Sequence, residues 1–345
     1  MKILILKPSS LGDVIHAMPV LRLLRRHHPG SQIFWWIDAG LAPLLEGDPD
    51  LSGVLLFQRK RWSKPRHWPE MFRAIRELRA HRFDLVIDLQ SLARSGIFAW
   101  LANGKLLVGL DDAREGANGF YDIIVRRPSY HTHAVDWYLS ALPPLGVKVE
   151  HDFNWLPQRT AVAASVKTKW NLTGARWIAL QPGARWMNKR WPVAHFTRFV
   201  KLASDAMPDA KFAIFGGNDD ATLGEEISRA VPDRCLNLAG KTTLPEMIEL
   251  LRLCELLVTN DTGPMHVAVA LDKPVIGIFG PTEPRRTGPY GQMENTLRHP
   301  LPCAPCMKSE CACHNPMECL TAITPEKVLQ QVMRLLASQT TARTE

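Results

Sequence analysis

Short apolar runs of β character alternate with amphipathic helical stretches along nearly all of this 345-residue chain, and that alternation admits few folds. Ile3 to Lys7 is a buried-strand pattern. Val14 to Arg26 follows, with Ile15, Met18, Leu21 and Leu24 on one apolar stripe. Gln32 to Ile37, Val54 to Phe57 and Leu85 to Leu89 read as further strands, with a helix at Trp68 to His81. The second half repeats the theme. Strands are expected at Trp177–Leu180, Lys211–Phe215, Leu256–Thr259 and Val275–Phe279, and helices at Val193–Ala206, Asp219–Ala230, Leu244–Leu253 and Pro264–Leu271. Such alternation implies an α/β protein, its mostly parallel sheets covered by helices on both faces. The length suits two doubly wound domains, 1–155 and 156–337. Asn154 to Thr173, polar and Ala-rich with Pro157, reads as the crossover, and Ser338 to Glu345 as a disordered tail.

Ligands of doubly wound sheets bind beyond the carboxyl ends of the strands, so the loops after strands carry the functional expectations. The most informative is Val258 to His266, Val-Thr-Asn-Asp-Thr-Gly-Pro-Met-His. The strand stops at Asn260, and Pro264 stands in the first helical turn, where its missing N–H costs nothing. Free N–H groups at a helix start attract anions. Thr262 adds a hydroxyl, Gly263 lets an anion approach the backbone, and Asp261 can grip sugar hydroxyls. A phosphate-bearing sugar donor suits all three, although Asp and Thr also cap ordinary helices.

After the first strand comes Lys7-Pro8-Ser9-Ser10-Leu11-Gly12-Asp13, a glycine-containing turn without the G-x-G-x-x-G spacing of a dinucleotide site. Ser9, Ser10 and Gly12 are candidate substrate contacts. Asp13 falls in the first helical turn, where it serves either the helix dipole or, as a general base, an acceptor hydroxyl. Gln181-Pro182-Gly183-Ala184-Arg185 and Asn188-Lys189-Arg190-Trp191-Pro192 follow another strand; the Gly183 turn with Lys189 and Arg190 can hold a diphosphate. Gly216-Gly217-Asn218-Asp219-Asp220 permits close approach of a nucleotide, with an acidic residue for ribose hydroxyls. Gly280-Pro281-Thr282-Glu283-Pro284 is a further loop able to close the site. No Asp-x-Asp pair follows a strand, so no catalytic metal and no cofactor is expected.

Two features stand apart. The net charge of +8 is concentrated between Arg59 and Arg82, where nine Arg and Lys face only Glu70 and Glu77, with Trp62, Trp68 and Phe72 interleaved. That mixture suits an anionic surface, a membrane leaflet or a nucleic acid, against the plainer reading of a solvated helix face. Five of seven cysteines cluster as Cys303-x2-Cys306-x4-Cys311-x-Cys313-His314-x4-Cys319. They form either a zinc or iron–sulfur site of unusual spacing or a loop of semi-buried thiols. No signal-peptide pattern is present, and no apolar run approaches the roughly 18 residues that span a bilayer, which predicts a cytoplasmic protein.

Taken together, these segments resemble glycosyltransferase family 9, the bacterial lipopolysaccharide heptosyltransferases. The landmarks are Lys7 to Asp13, Asp88-Leu89-Gln90-Ser91, Lys189-Arg190-Trp191-Pro192, Asp261 to His266, and Gly280-Pro281-Thr282. Within the family, Val86 to Asp111 with Ala113-Arg114-Glu115 looks most like the first heptosyltransferase, whereas the cysteine-rich loop looks more like the second. The resemblance implies a GT-B fold, two Rossmann-like domains facing a central cleft. It further implies inverting transfer of L-glycero-D-manno-heptose from ADP-heptose to a Kdo–lipid A type acceptor. Asp13 then resembles the catalytic base and Lys189 the residue neutralising the leaving diphosphate. Thr262 and Gly263 resemble the phosphate ligands, Asp261 the heptose ligand, and Asp220 or its neighbour Asp219 the ribose ligand; His266 lines the site. The basic stretch would meet the inner leaflet, making the protein peripheral on the cytoplasmic face of the inner membrane, with no nucleic-acid partner. Rival readings are a transferase adding heptose or another sugar elsewhere in the core or O-chain, a nicotinamide oxidoreductase, which the missing glycine fingerprint disfavours, and a nucleic-acid-binding protein.

Overall fold

All twelve strands among the described residues pair parallel with their neighbours. The computed structural model describes residues 1–111, 115–170, 172 and 174–344; Ala113 and Arg114 of the expected first-heptosyltransferase stretch, Thr173 and Glu345 lie outside them. The chain divides into two units, Met1–Pro157 and Gln158–Glu345.

The first unit holds β1 (Lys2–Leu6), β2 (Gln32–Asp38), β3 (Gly53–Phe57), β4 (Leu85–Asp88), β5 (Leu106–Leu110) and β6 (Ile123–Val125), in the spatial order β3-β2-β1-β4-β5-β6. Leu4 sits between Phe34 and Val86, which fixes the register of the three central strands. Ile3 to Leu6 are wholly buried, because helices cover both faces, and this is why β1 reads as a continuous apolar run without alternation. Arg22, on the helix Leu11–His27, binds both Asp48 oxygens at 2.7 and 2.5 Å and donates to the Trp155 carbonyl at 3.0 Å, tying the end of this unit to its first helix.

The second unit repeats the plan with β7 (Arg176–Gln181), β8 (Ala210–Ile214), β9 (Cys235–Asn237), β10 (Leu256–Asn260), β11 (Val275–Phe279) and β12 (Thr296–Arg298), ordered β12-β11-β10-β7-β8-β9. Val258 lies between Leu180 and Ile276. The helix Val193–Ala206 buries Phe196, Phe199, Val200 and Ala203, a 3.6-residue stripe that packs on the sheet, with Phe199 and Phe212 ring centres 6.2 Å apart. Truncating either Phe would cost about 3–5 kcal/mol.

Each unit therefore has one point where chain order reverses, between β1 and β4 in the first and between β7 and β10 in the second. Adjacent connections leave in opposite directions there and open a crevice at the strands' carboxyl ends. The loops after these four strands carry motifs that the sequence marks, and the loops after β8 and β11 add Asp220 and Thr282.

Some expectations need correction. The stretch taken as a polar crossover contains a helix, Thr160–Trp170, packed near the helix Leu244–Leu253. The C-terminal helix runs Pro325–Thr344, through residues expected to be a tail. Of the aromatic residues in the basic stretch, Trp62 is buried and stacks on Phe98 at 6.0 Å, while Trp68 and Phe72 are exposed. No helix of the described residues is long and apolar enough to cross a membrane.

Candidate functional site

In the second unit, β10 ends at Asn260, and the helix Gly263–Ala270 begins three residues on with Thr262 as its N-cap in extended conformation. The Thr262 side chain makes no cap hydrogen bond, Pro264 has no N–H, and the Met265 N–H donates to the Thr262 carbonyl at 3.1 Å, which leaves the Gly263 N–H as the donor at the helix start. Asp261, just before the cap, is 7% exposed and held from two other loops: Lys189 Nζ donates to Oδ2 at 2.6 Å and Thr282 Oγ1 at 2.7 Å. Lys189 also lies over the Trp186 ring, 4.6 Å from its centre. Loops after β7, β10 and β11 thus converge on one carboxylate, and an ammonium stands beside a helix N-terminus. This is an arrangement for stabilising negative charge that develops on a bound group.

The second cluster explains a glycine. A Cβ at Gly183 would stand 2.2 Å from Asp220 Oδ2, and one at Gly216 would lie 2.7 Å from Asp220 Cβ. Both glycines therefore make room for Asp220, whose Oδ2 accepts from the Gly217 N–H at 3.1 Å and whose Oδ1 is 3.6 Å from Arg190 Nη2. Arg190 Nε in turn donates to the Ala184 carbonyl at 2.8 Å. Asp220, not the exposed Asp219, is the carboxylate beside the Gly183 turn. His266 is buried on the helix that Thr262 caps.

Asn260 holds the frame. Its Oδ1 accepts from the Trp191 N–H at 2.9 Å and its Nδ2 donates to the Pro182 carbonyl at 2.7 Å, so one buried amide fixes both flanks of the β7 loop. Sequence reasoning assigned Asn260 no role; the signal available was an Asn at the end of an apolar strand, where Asn is disfavoured. Glu283 is buried beside Arg285, 2.9 Å away, whose guanidinium holds the carboxyl at about 2. It caps the short helix Pro284–Thr287 and anchors the loop that presents Thr282.

In the first unit, Asp13 completes a capping box: Ser10 N–H and Oγ both donate to Oδ2, at 2.9 and 2.7 Å. Tyr138, 125 residues away, donates to Oδ1 at a weaker 3.3 Å. Lys7 Nζ lies 4.7 Å from the Tyr138 ring centre and donates to the Leu89 carbonyl at 3.0 Å. Ser9 and Asp13 are half-buried, Ser10 is exposed and Gly12 is buried in the helix. Asp88, by contrast, is a structural carboxylate. It is fully buried and accepts from the Gln90 and Ser91 N–H groups and, at 2.8 Å, from the Tyr121 hydroxyl; burial pushes its carboxyl up.

Residues 71–317 match the model of glycosyltransferase family 9 (heptosyltransferase). The chain is 32% identical to lipopolysaccharide heptosyltransferase 1 of Pseudomonas aeruginosa, across 99% of this chain and 100% of that one. It is 28% identical to lipopolysaccharide heptosyltransferase 2 of Salmonella typhimurium, across 98% and 99%. Its fold matches the E. coli ADP-heptose lps heptosyltransferase II structure with a TM-score of 0.79 at 24% identity, covering 98% of this chain and 99% of that one. Parallel six-stranded sheets in both units, the post-strand loops and this likeness over nearly full length agree: the chain is a GT-B protein and belongs to glycosyltransferase family 9, the heptosyltransferases.

Proposed function

We propose that this protein moves L-glycero-D-manno-heptose from ADP-heptose to a Kdo–lipid A type acceptor of the lipopolysaccharide inner core, with inversion at the anomeric carbon. The observation that carries the proposal is the Lys189–Asp261–Thr282 cluster at the start of the helix Gly263–Ala270. In this reading the diphosphate binds at the helix start, against Thr262 and Gly263, and draws Lys189 partly from Asp261. Asp261 is then oriented by Thr282 toward the heptose hydroxyls. Asp220, seated against Gly183, takes the ribose hydroxyls. Asp13 accepts the proton of the acceptor hydroxyl as that oxygen attacks C1. The bond from C1 to the diphosphate oxygen breaks, and ADP leaves with both bonding electrons, its charge offset by Lys189 and the helix dipole.

The acceptor is membrane-borne, and the exposed Trp68 and Phe72, among Arg73, Arg76 and Arg79 on the helix Trp68–Ala80, give the first unit a surface for anionic headgroups. We place the enzyme peripherally on the cytoplasmic face of the inner membrane. The test is transfer from ADP-heptose to Kdo–lipid A by wild type and Asp13→Ala. Product from wild type and a loss of about a hundredfold or more in the variant is expected. Equal product from both removes Asp13 from the chemistry; failure to bind any sugar nucleotide overturns the proposal.

A further inference from the structure

The cysteine cluster has no part in the transfer chemistry, yet it is built onto the loops that would carry it. Cys303, Cys311, Cys313, His314 and Cys319 line one cavity of about 340 Å³. All five cysteines of the cluster are free thiols; Cys303 is exposed, and Cys306, Cys311, Cys313 and Cys319 are partly accessible. Cys311 and Cys313, separated by Ala312 alone, stand together on the wall of this cavity, and Cys311 Sγ accepts the Met317 N–H at 3.4 Å.

Three contacts join this loop to the donor-site loops. Asn188, next to Lys189, donates from Nδ2 to the Lys308 carbonyl at 2.9 Å. The Met307 N–H donates to the Pro281 carbonyl at 2.7 Å, one residue before Thr282. Gly280 packs on the Cys319 thiol so closely that a Cβ there would approach Sγ to 2.8 Å. The loop from 301 to 319 is thus fastened to the segments that position both partners of Asp261.

We infer that Cys311 and Cys313 form a reversible thiol-modification site, which exchanges with small disulfides of the glutathione class and adjusts donor binding through these three contacts. The Cys311 thiolate attacks one sulfur of the small disulfide, whose other half leaves as a thiolate and takes up a proton. The Cys313 thiol then gives up its proton and attacks Cys311 Sγ, closing the protein disulfide and releasing the second small thiol. The net change is two protein thiols oxidised and one small disulfide reduced to two thiols. Backbone N–H groups of Met317 and Cys313 hold the Cys311 thiol below its ordinary range, which favours it as the attacking partner. The modification stands on the loop itself; its effect on donor binding rests on the function proposed above.

The test treats reduced full-length protein with oxidised glutathione, then applies thiol counting, peptide mapping and ADP-heptose titration. Expected are the loss of two thiols, mapped to Cys311 and Cys313, recovery with dithiothreitol, and a glutathione adduct on Cys311 alone in Cys313→Ser. Oxidised wild type should bind ADP-heptose about fivefold or more weakly than reduced, and Cys311→Ser should be insensitive. Adducts spread over all five cysteines, inert thiols, or stoichiometric metal held by them in the purified protein would each overturn the site. Disulfide formation with unchanged donor affinity would overturn the coupling. Reduced protein that binds no sugar nucleotide while its thiols still exchange would sink the transferase proposal and leave the thiol site supported.

Discussion

Gly183→Ala is the sharpest probe of the second unit's switch point. The new methyl would lie 2.2 Å from Asp220 Oδ2 and 2.3 Å from Asp220 Cγ, far inside contact distance. Asp220 can swing aside, but only by giving up the 3.1 Å bond from the Gly217 N–H and the 3.6 Å approach to Arg190. A hydrogen bond to a charged group contributes about 1.5–3 kcal/mol, less where water can substitute, so this half-buried carboxylate should cost about 1–2 kcal/mol to displace. For a domain of this size that corresponds to a fall in Tm of about 2–8 °C. The decisive measurement is a double-mutant cycle by urea unfolding. In an Asp220→Ala background the collision is gone, and Gly183→Ala should then cost less than about 0.5 kcal/mol, with a coupling well outside additivity. ADP affinity should fall in either single variant and no further in the double. Single-variant effects that add within about 0.5 kcal/mol would refute the claim that Gly183 is a glycine because of Asp220.

Other outcomes follow from the same geometry. Lys189→Ala should lower kcat for heptose transfer about a hundredfold to a thousandfold, with a smaller effect on ADP release, in stopped-flow and steady-state assays; an unchanged kcat would remove Lys189 from leaving-group stabilisation. Glu283 titrates at about 2 in the fold, against 4.5 unperturbed, so its depressed pKa contributes stability above the ordinary carboxylate range that is lost as pH falls toward 2. Arg285→Ala should flatten that part of the acid-unfolding curve, and an unaltered slope would contradict the pairing. Tyr121→Phe strips the buried Asp88 of its hydroxyl donor and should destabilise the first unit by about 1–3 kcal/mol in denaturant titrations. Trp68→Ala with Phe72→Ala should weaken co-sedimentation with vesicles containing anionic lipid about tenfold or more, without changing transfer to a soluble acceptor.

The fold was largely legible because parallel strands buried on both faces leave dense apolar runs, as in Ile3–Leu6, Leu256–Val258 and Val275–Phe279. What escaped were the inner strand β5 and the short edge strands β6, β9 and β12, the last three only three residues each, whose pairing comes from the sheet rather than from their own side chains. The helix Thr160–Trp170 escaped for a related reason: Val166 is its only buried residue, so it shows almost no apolar stripe. At the site, the post-strand rule led to Lys189, Asp261 and Asp220 one by one. It could not show that Lys189 and Thr282 would meet on Asp261, because those partners are 72 and 21 residues away in the chain. Nor could spacing reveal Tyr138 on Asp13, or separate the structural carboxylate Asp88 from the exposed ones. Trp62 shows the opposite hazard: its basic neighbours suggested a surface, whereas its ring belongs to the core.

Asn260 makes one buried amide speak to two loops in opposite senses, as acceptor to Trp191 and donor to Pro182. Aspartate differs from it by a single group, yet it would turn an oxygen toward the Pro182 carbonyl, and a charged one in a site with no exposed surface. Leucine would fill the volume and leave a donor and an acceptor stranded. Exchange of one nitrogen for one oxygen at this position would therefore set charge against the Pro182 carbonyl and loosen the loop that carries Lys189, in a chain otherwise unchanged in length and sequence.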